Sequence, residues 1–257
     1  MSISVLPLTG ERTVPGVASE NYWFRRHEAA YEYLLDEVEG PRLLEVGAGE
    51  GYGAAMLAER VPAVLAVDYD PVTIAHLARR YQALAAVRGN LAALPVLDCS
   101  IDTVVSLQVV EHVWDHRQFL AECARVLRPG GLLALSTPNR LTFSPGAGKH
   151  DKPANPFHTH EFTAAELYRL VADSGLSVVA VRGLSAGARL AELDRRYARQ
   201  GGFAAAQLGR PPRDWPAELA ADVGSVSCHD FPMSRNCQAN PADLDGCLDL
   251  LLVARRP

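Results

Sequence analysis

Hydrophobic spacing near the start of the chain predicts a helix. From Ser19 to about Glu39 the positions Trp23, His27, Ala30, Tyr31, Leu34, Leu35 and Val38 recur at helical intervals. Gly40-Pro41 closes the stretch, since glycine permits a left-handed cap and proline bars continuation. The residues before it, rich in Pro and Gly as far as Gly16, read as irregular. The pattern then changes to short apolar runs separated by helical stretches. Arg42–Val46 reads as a strand, Tyr52–Arg60 as a helix and Ala63–Val67 as a second strand. Asp70-Pro71 opens the next helix with an N-cap aspartate and a proline at the first helical position. Ala83–Arg88 and Thr103–Leu107 read as strands, and His116–Leu127 as a helix stopped by Arg128-Pro129-Gly130-Gly131. Leu132–Ser136 is the fifth strand. Runs that are apolar throughout and alternate with helices predict a parallel sheet covered on both faces, an α/β fold.

A long loop, Thr137 to Phe162, precedes a helix whose start is a capping box, Thr163-x-x-Glu166. Ser177–Val181 and Leu248–Ala254 read as the sixth and seventh strands. The 63 residues between them, Leu184 to Gly246, far exceed an ordinary connection. The chain therefore divides into an N-terminal lid and helix (1–40), a sheet domain (41–183 with 247–257) and an insertion (184–246). Neither addition reads as an independent domain; the insertion is expected to shape an acceptor pocket or a dimer contact.

Composition narrows the function. The 257 residues carry 25 Lys+Arg against 30 Asp+Glu, a net charge of −5, so no basic field exists to hold a phosphate backbone and nucleic acid is not an expected partner. Among the basic residues only Lys149 and Lys152 are lysines, which reads as coding background. Five cysteines, an odd count without a CxxC pair, lead one to expect neither a disulfide framework nor a thiolate zinc site. With no secretory start and no run near ~18 apolar residues, the chain reads as soluble and cytoplasmic, with no membrane partner.

The first strand runs into Glu45-Val46-Gly47-Ala48-Gly49-Glu50-Gly51-Tyr52-Gly53. A dinucleotide fingerprint starting at Gly47 needs glycine where Tyr52 stands, so the pattern is E-x-G-x-G-x-G. A backbone cradle beside a carboxylate suits a cationic, zwitterionic ligand. Asp68, 19 residues past Gly49, is placed to accept both hydroxyls of a ribose. Together with Val67-Asp68, Asn90-Leu91-x-x-Leu94-Pro95, Asp102–Val105, Glu111-His112-Val113 and Val126–Gly131, this loop resembles the class I methyltransferases that use S-adenosylmethionine. The resemblance implies a Rossmann-like seven-stranded sheet, mostly parallel with an antiparallel last strand. It also implies that Glu45 and the loop carrying Gly47, Ala48, Gly49 and Gly51 line the methionine end of S-adenosylmethionine. Asp68 then meets the ribose, Tyr69 one adenine face, and Asn90 or Leu91 the adenine edge, although the family often has an acidic residue at the position of Asn90. Gln108 caps the sulfonium side.

A hydroxyl acceptor must lose its proton, which favours a histidine or carboxylate nearby. Five of the eight histidines lie between His112 and His160, on segments that follow the fourth and fifth strands, where open α/β sheets bind ligands. His158 is the preferred base or acceptor-orienting group, then His112 with Glu111, then His160; Asp151 and Glu161 are candidates to orient these rings. Quinone-biosynthesis O-methyltransferases resemble this region with E-x-x-E-H around a divalent ion. Here Gln108-Val109-Val110-Glu111-His112 has one carboxylate fewer, which leaves a partial Mg²⁺ site on Glu111 and His112 open.

The stretches Thr9–Pro15 and Glu20–His27 take no part in the sheet and read as a lid or acceptor wall, with Tyr22, Trp23 and Arg26 as candidate contacts beside Phe157 and His160. With Ser136–Gly146 and Asn155–Glu161 they resemble the mycobacterial O-methyltransferases encoded with enzymes of polymethylated-polysaccharide synthesis. That implies a sugar hydroxyl on a short oligosaccharide: the 1-OH of a 3-O-methylated mannoside, with the 6-OH of a methylglucose acceptor next. The aromatic rings, Phe143 and Trp215 included, suit sugar C–H faces but are also ordinary packing material. Alternatives are a phenol, quinone-precursor or macrolide-sugar methyltransferase, and a cofactor-binding scaffold without turnover.

Overall fold

The computed structural model describes Leu6 and residues 12–257; Thr9, Gly10 and Glu11 of the candidate lid lie outside the described residues. The elements run α1 (Asn21–Leu34), β1 (Arg42–Val46), α2 (Tyr52–Leu57), β2 (Ala63–Asp68), α3 (Pro71–Arg80), β3 (Ala85–Arg88) and β4 (Ile101–Leu107). They continue with α4 (His116–Val126), β5 (Leu127–Pro138), α5 (Arg140–Phe143), α6 (Ala164–Ala172), β6 (Ser177–Leu184), α7 (Ala188–Arg196), α8 (Phe203–Leu208), α9 (Ala217–Gly224) and β7 (Asp249–Arg255). One sheet holds all seven strands in the order β3-β2-β1-β4-β5-β7-β6. Its pairings are parallel except those of β7, which runs antiparallel to both β5 and β6.

Alternation along β1 assigns the faces. Leu44 and Val46 point into a core with Phe119 and Leu120 of α4 and Leu167 and Val171 of α6. Leu43 points the other way, into a core with Tyr31 and Leu34 of α1, Ala54 and Leu57 of α2 and Leu77 of α3. Glu45, two residues after Leu43, therefore faces α1 and α2. A third cluster joins Tyr22 and Ala29 of α1 to Leu190, Leu193, Phe203, Leu219, Val223 and Phe231, so the N-terminal helix and the insertion form one cover.

Capping follows the sequence. The Asp70 carboxylate accepts from the Val72 amide at 3.0 Å, and Thr163 with Glu166 forms the expected box at the start of α6. Several boundaries differ, and three of them show the cause. The first helix stops at Leu34 rather than Glu39, because Glu39 is captured by Thr103, which accepts from its amide at 3.2 Å and donates to its carbonyl at 2.8 Å. The fifth strand begins at Leu127. Leu127 pairs with Ile101, and the Gly130–Gly131 turn exchanges backbone hydrogen bonds with Arg256 at 2.8 and 2.9 Å, so Arg128–Gly131 joins the strand it was expected to precede. The expected loop from Thr137 is shortened by the end of β5 and by α5, which Asn139 caps.

Candidate active site

The turn from β1 into α2 is built on left-handed glycines. Gly47, Gly49 and Gly51 have φ of 78°, 54° and 99°, and Gly51 serves as N-cap of α2. A Cβ on Gly51 would meet Leu77, and one on Gly53 would strike the Tyr31 ring and the Glu45 carboxylate. The amides of Gly47 and Ala48 donate to the Val67 carbonyl at 2.8 and 3.1 Å. The Gly49 amide donates to Asp68 at 2.9 Å, and the Asp70 amide donates to the other carboxylate oxygen at 2.9 Å. Burial raises the Asp68 carboxyl above the usual range. Glu50, also buried, accepts from His76 and from the Tyr81 hydroxyl at 2.8 Å each, which ties the loop to α3.

Glu45 lies beneath this loop. The Tyr31 hydroxyl donates to its Oε1 at 2.6 Å, while the buried Oε2 has no hydrogen-bond partner among the described residues. Burial pushes the carboxyl up to about 8 against the opposing pull of the Tyr31 hydrogen bond. A buried carboxylate oxygen awaiting a donor, beside a glycine cradle, fits the ammonium end of a zwitterion. The sequence singled out Glu45 but not Tyr31, whose tyrosine appeared only as one of the helix's apolar positions. The same cleft is lined by Arg12, Thr13, His27, Tyr31, Gly47 and Gln108. Thr13 is within hydrogen-bond distance of the Tyr52 hydroxyl, 2.9 Å, and Arg12 pairs with Asp70 at 3.0 Å, so the segment before α1 crosses the glycine loop. His27, held down to about 4 mainly by burial, faces the same hydroxyl at 3.2 Å.

Gln108 ends β4 with a φ of 57°, a conformation that costs a non-glycine residue about 1–3 kcal/mol. Its Nε2 donates to Ser136 at 3.2 Å and to Asp249 at 3.3 Å. Tyr69 is 65% exposed, with the Arg88 guanidinium 5.6 Å from its ring centroid. Asn90 is exposed and caps its own turn through the Ala92 amide, and Leu91 is half-buried against the core.

The two histidine-bearing segments meet. Thr159 donates its amide to the Glu111 carbonyl at 2.7 Å and its hydroxyl to the Glu111 and Val113 carbonyls at 3.0 and 2.7 Å. His158 is 8% exposed; its Nδ1 sits 2.7 Å from Glu161 and its Nε2 3.1 Å from the Asn155 amide nitrogen. With Asn155 donating to Nε2, the ring proton is on Nδ1 and is donated to Glu161, the arrangement of an oriented base. Asp151, the other expected orienting carboxylate, instead accepts from the Gly148 amide at 2.8 Å. His112 lies edge-on to His158, ring centroids 5.0 Å apart, with Nδ1 3.0 Å from the Phe157 carbonyl. Glu111 is buried, accepts from Thr137 at 3.0 Å and is pushed up to about 8 by burial. Ligand atoms of Glu111, His112 and His158 all lie within 4.8 Å of one another. Two imidazoles and one carboxylate suit Mn²⁺, Fe²⁺ or Zn²⁺ better than Mg²⁺, which prefers oxygen.

Four of the five expected substrate contacts pack against other parts of the protein. Tyr22 is 5% exposed and packs edge-on against Trp23, Phe203 and Phe231, because α1 turns that face into the insertion. Arg26 is committed to a buried ion pair with Asp249, Nε to Oδ2 2.5 Å, each side chain 5% exposed. Trp23 is half-buried beside this pair, 5.7 Å from the Arg26 guanidinium. His160 packs on Phe162 and His116, centroids 4.5 and 5.9 Å away, and burial lowers its pKa. Phe157 does line an open cleft, together with His158, Asp151, Lys152, Thr159 and Trp114. Trp114, 89% exposed, escaped the sequence reading; its only signal is its place two residues after Glu111-His112. Phe143 stacks near His158 at 5.4 Å, and Trp215 donates to the carbonyls of Gln207 and Arg210 within the insertion.

Comparison with known proteins agrees with this architecture. The profile of the family described as "Methyltransferase domain" matches residues 44–135. The "Probable S-adenosylmethionine-dependent methyltransferase" of Mycolicibacterium smegmatis is 50% identical over 99% of this chain and 96% of its own length. A ubiquinone biosynthesis O-methyltransferase of Cereibacter sphaeroides is 32% identical over 57% of this chain and 64% of that protein. The Haloferax volcanii methyltransferase solved with its Trm112 activator superposes with a TM-score of 0.60 at 20% identity, covering 92% of this chain and 93% of its own. A sheet with this strand order, a glycine loop over a buried carboxylate and a relative identical at half its positions along nearly the whole length lead to one statement. The chain belongs to the class I S-adenosylmethionine-dependent methyltransferases.

Proposed function

We propose that the enzyme methylates a hydroxyl of a neutral sugar, the 1-OH of a short methylated mannoside in the first instance, with His158 as general base. The observation that supports this reading is the cleft in which buried His158, oriented by Glu161, opens between the exposed rings of Trp114 and Phe157. Aromatic faces of that kind match the C–H faces of a pyranose. S-adenosylmethionine, when bound, supplies an electrophilic methyl group. Glu45, with Oε1 held by the Tyr31 hydroxyl, would take its ammonium end, the glycine turn Gly47–Gly51 would let it approach the backbone closely, Asp68 would meet the ribose, Tyr69 with Asn90 or Leu91 would border the adenine, and Gln108 would limit the side facing the acceptor. An acceptor hydroxyl in the place of the Asn155 amide would hydrogen-bond to His158 Nε2. That nitrogen would take the hydroxyl proton as the oxygen accepts the methyl group and the sulfonium sulfur leaves as a neutral thioether, and Glu161 would stabilise the imidazolium. Holding the oxygen in line with the methyl group lowers the barrier further.

The test is a panel of 3-O-methylmannosides, gluco-oligosaccharides and catechols, with and without EDTA, on wild type and His158→Ala. The reading predicts product on the mannosides and a fall in kcat of about 10²–10⁴-fold in the variant at unchanged cofactor affinity. Product on glucosides alone would indicate a 6-O-methyl reaction. Near-wild-type turnover by His158→Ala removes the base assignment. A second reading, a quinone-precursor phenol as acceptor, draws on the ubiquinone-biosynthesis relative and would be marked by catechol product. Loss of turnover with EDTA, restored by Mn²⁺ or Mg²⁺, would assign a metal to Glu111, His112 and His158. The cytoplasmic setting and a homodimer through the insertion belong to the same proposal and are checked by cell fractionation and by solution mass.

A further inference from the structure

A second group of metal-ligating side chains lies away from the chemistry just described, where α1 meets the turn Cys228–Asp230 of the insertion. Cys228 Sγ is 3.3 Å from Glu32 Oε1 and 3.8 Å from His229 Nδ1, and ligand atoms of the three residues all fall within 4.8 Å of one another. Glu28, one helical turn before Glu32, also interacts with the thiol and is itself paired with Arg25 at 2.6 Å. The turn that presents Cys228 and His229 is fixed. Ser227 and Asp230 form a reciprocal cap, with the Ser227 amide donating to Asp230 at 2.9 Å, and Arg189 pairs with the same carboxylate at 3.3 Å. Two segments 196 residues apart are thus brought together by carboxylate, thiol and imidazole.

The spacing and the donor types agree on an occupant. Tetrahedral coordination with bonds of about 2.0–2.3 Å places neighbouring ligand atoms about 3.3–3.8 Å apart. The two separations above fall in that range before any ion draws the side chains in. Without a cation the cluster sets a carboxylate, with a second close by, against a thiol. With one, the thiol proton is released to solvent and the same charges become attractive. Sulfur, nitrogen and oxygen donors together select a borderline-soft ion over Mg²⁺ or Ca²⁺. We propose that Glu32, Cys228 and His229 bind Zn²⁺, with water or Glu28 in the fourth position, and that the ion clamps the insertion to α1. The clamp has a functional address, since α1 also carries His27 and Tyr31, which line the cleft beneath the glycine loop.

Cobalt(II) titration of the full-length metal-free protein tests this, because a thiolate ligand gives a charge-transfer band in the near ultraviolet. The Glu111, His112 and His158 group contains no sulfur and cannot produce it. The expected result is a band saturating at one equivalent, abolished in Cys228→Ser, shifted to at least tenfold weaker affinity in His229→Ala and unchanged in Cys237→Ser. Zn²⁺ should also raise the Tm of wild type by several degrees more than that of Cys228→Ser. A wild-type protein without the band at saturating cobalt overturns the proposal. So does a band of full strength in Cys228→Ser, or an equal Zn²⁺-induced shift in both proteins.

Discussion

Glu45 makes a sharp prediction, because one substitution has consequences for both stability and binding. Burial lifts its carboxyl from 4.5 to about 8 in the folded chain. A raised acid binds its proton more tightly folded than unfolded, so between about pH 4.5 and 8 the native state carries the extra proton. Stability from this group is therefore full below 4.5, falls as pH rises through the window and levels off above 8. The slope is at most about 1.4 kcal/mol per pH unit, and the whole loss is on the order of 5 kcal/mol. Glu45→Gln keeps the shape and the acceptor for Tyr31 but cannot titrate. Urea unfolding from pH 5 to 9 should show the wild type losing stability relative to the variant across that interval. Under the proposed binding pose, the cofactor's ammonium ionises the carboxyl, which at pH 7 is about nine-tenths protonated beforehand. Binding should then release close to one proton, read as the dependence of calorimetric heat on buffer ionisation enthalpy. Glu45→Gln should release none and bind about 10- to 150-fold more weakly, the equivalent of a lost hydrogen bond to a charged group. Zero proton release by the wild type at pH 7, or equal release by the two proteins, would refute the reasoning.

Three further outcomes follow from other contacts. Asp249→Ala leaves the Arg26 guanidinium buried and unpaired and is expected to cost about 3–5 kcal/mol in chemical denaturation; a loss under 1 kcal/mol would count against it. Trp114→Ala, at a position 89% exposed, should leave Tm within experimental scatter but raise acceptor KM by about 2- to 12-fold, and an unchanged KM would remove Trp114 from the acceptor site. Gly51→Ala, at φ 99° with Leu77 in the path of its Cβ, should lower stability by about 1–3 kcal/mol and weaken cofactor binding, with a neutral variant contradicting the strain argument.

The sheet was legible because β1, β2, β4 and β5 each hold a short apolar run without strict polar alternation, and because Asp70, Thr163 and the glycine loop announce their turns locally. That the glycine loop, Glu45 and Gln108 come together was legible for the same reason, since these residues lie in or beside strand ends. What escaped depends on contacts between distant segments. Arg26 and Asp249 are 223 positions apart, so nothing local distinguishes an arginine bound for a buried ion pair from one facing a substrate. Tyr22 looked like an acceptor contact until the insertion's Phe203 and Phe231 supplied the other half of its environment. Of the histidines, His158 and His160 are two residues apart yet differ wholly in their surroundings. The intervening Thr159 anchors the backbone to Glu111 and sends the two rings in different directions.

The sheet order carries a consequence for how the molecule assembles. Strand β6 touches the sheet only through β7, and β7 follows it in the chain only after the whole insertion. As the polypeptide emerges from the ribosome, β6 would therefore have no strand of the sheet to pair with until β7 follows, only residues 232–238 of the insertion hydrogen-bonded beside it. Docking of β7 between β5 and β6 would bring Asp249 to Arg26 and to Gln108 in the same step. A chain arrested before β7 would present two unpaired strand edges, and a chaperone that shields such edges would find its longest-lived target here.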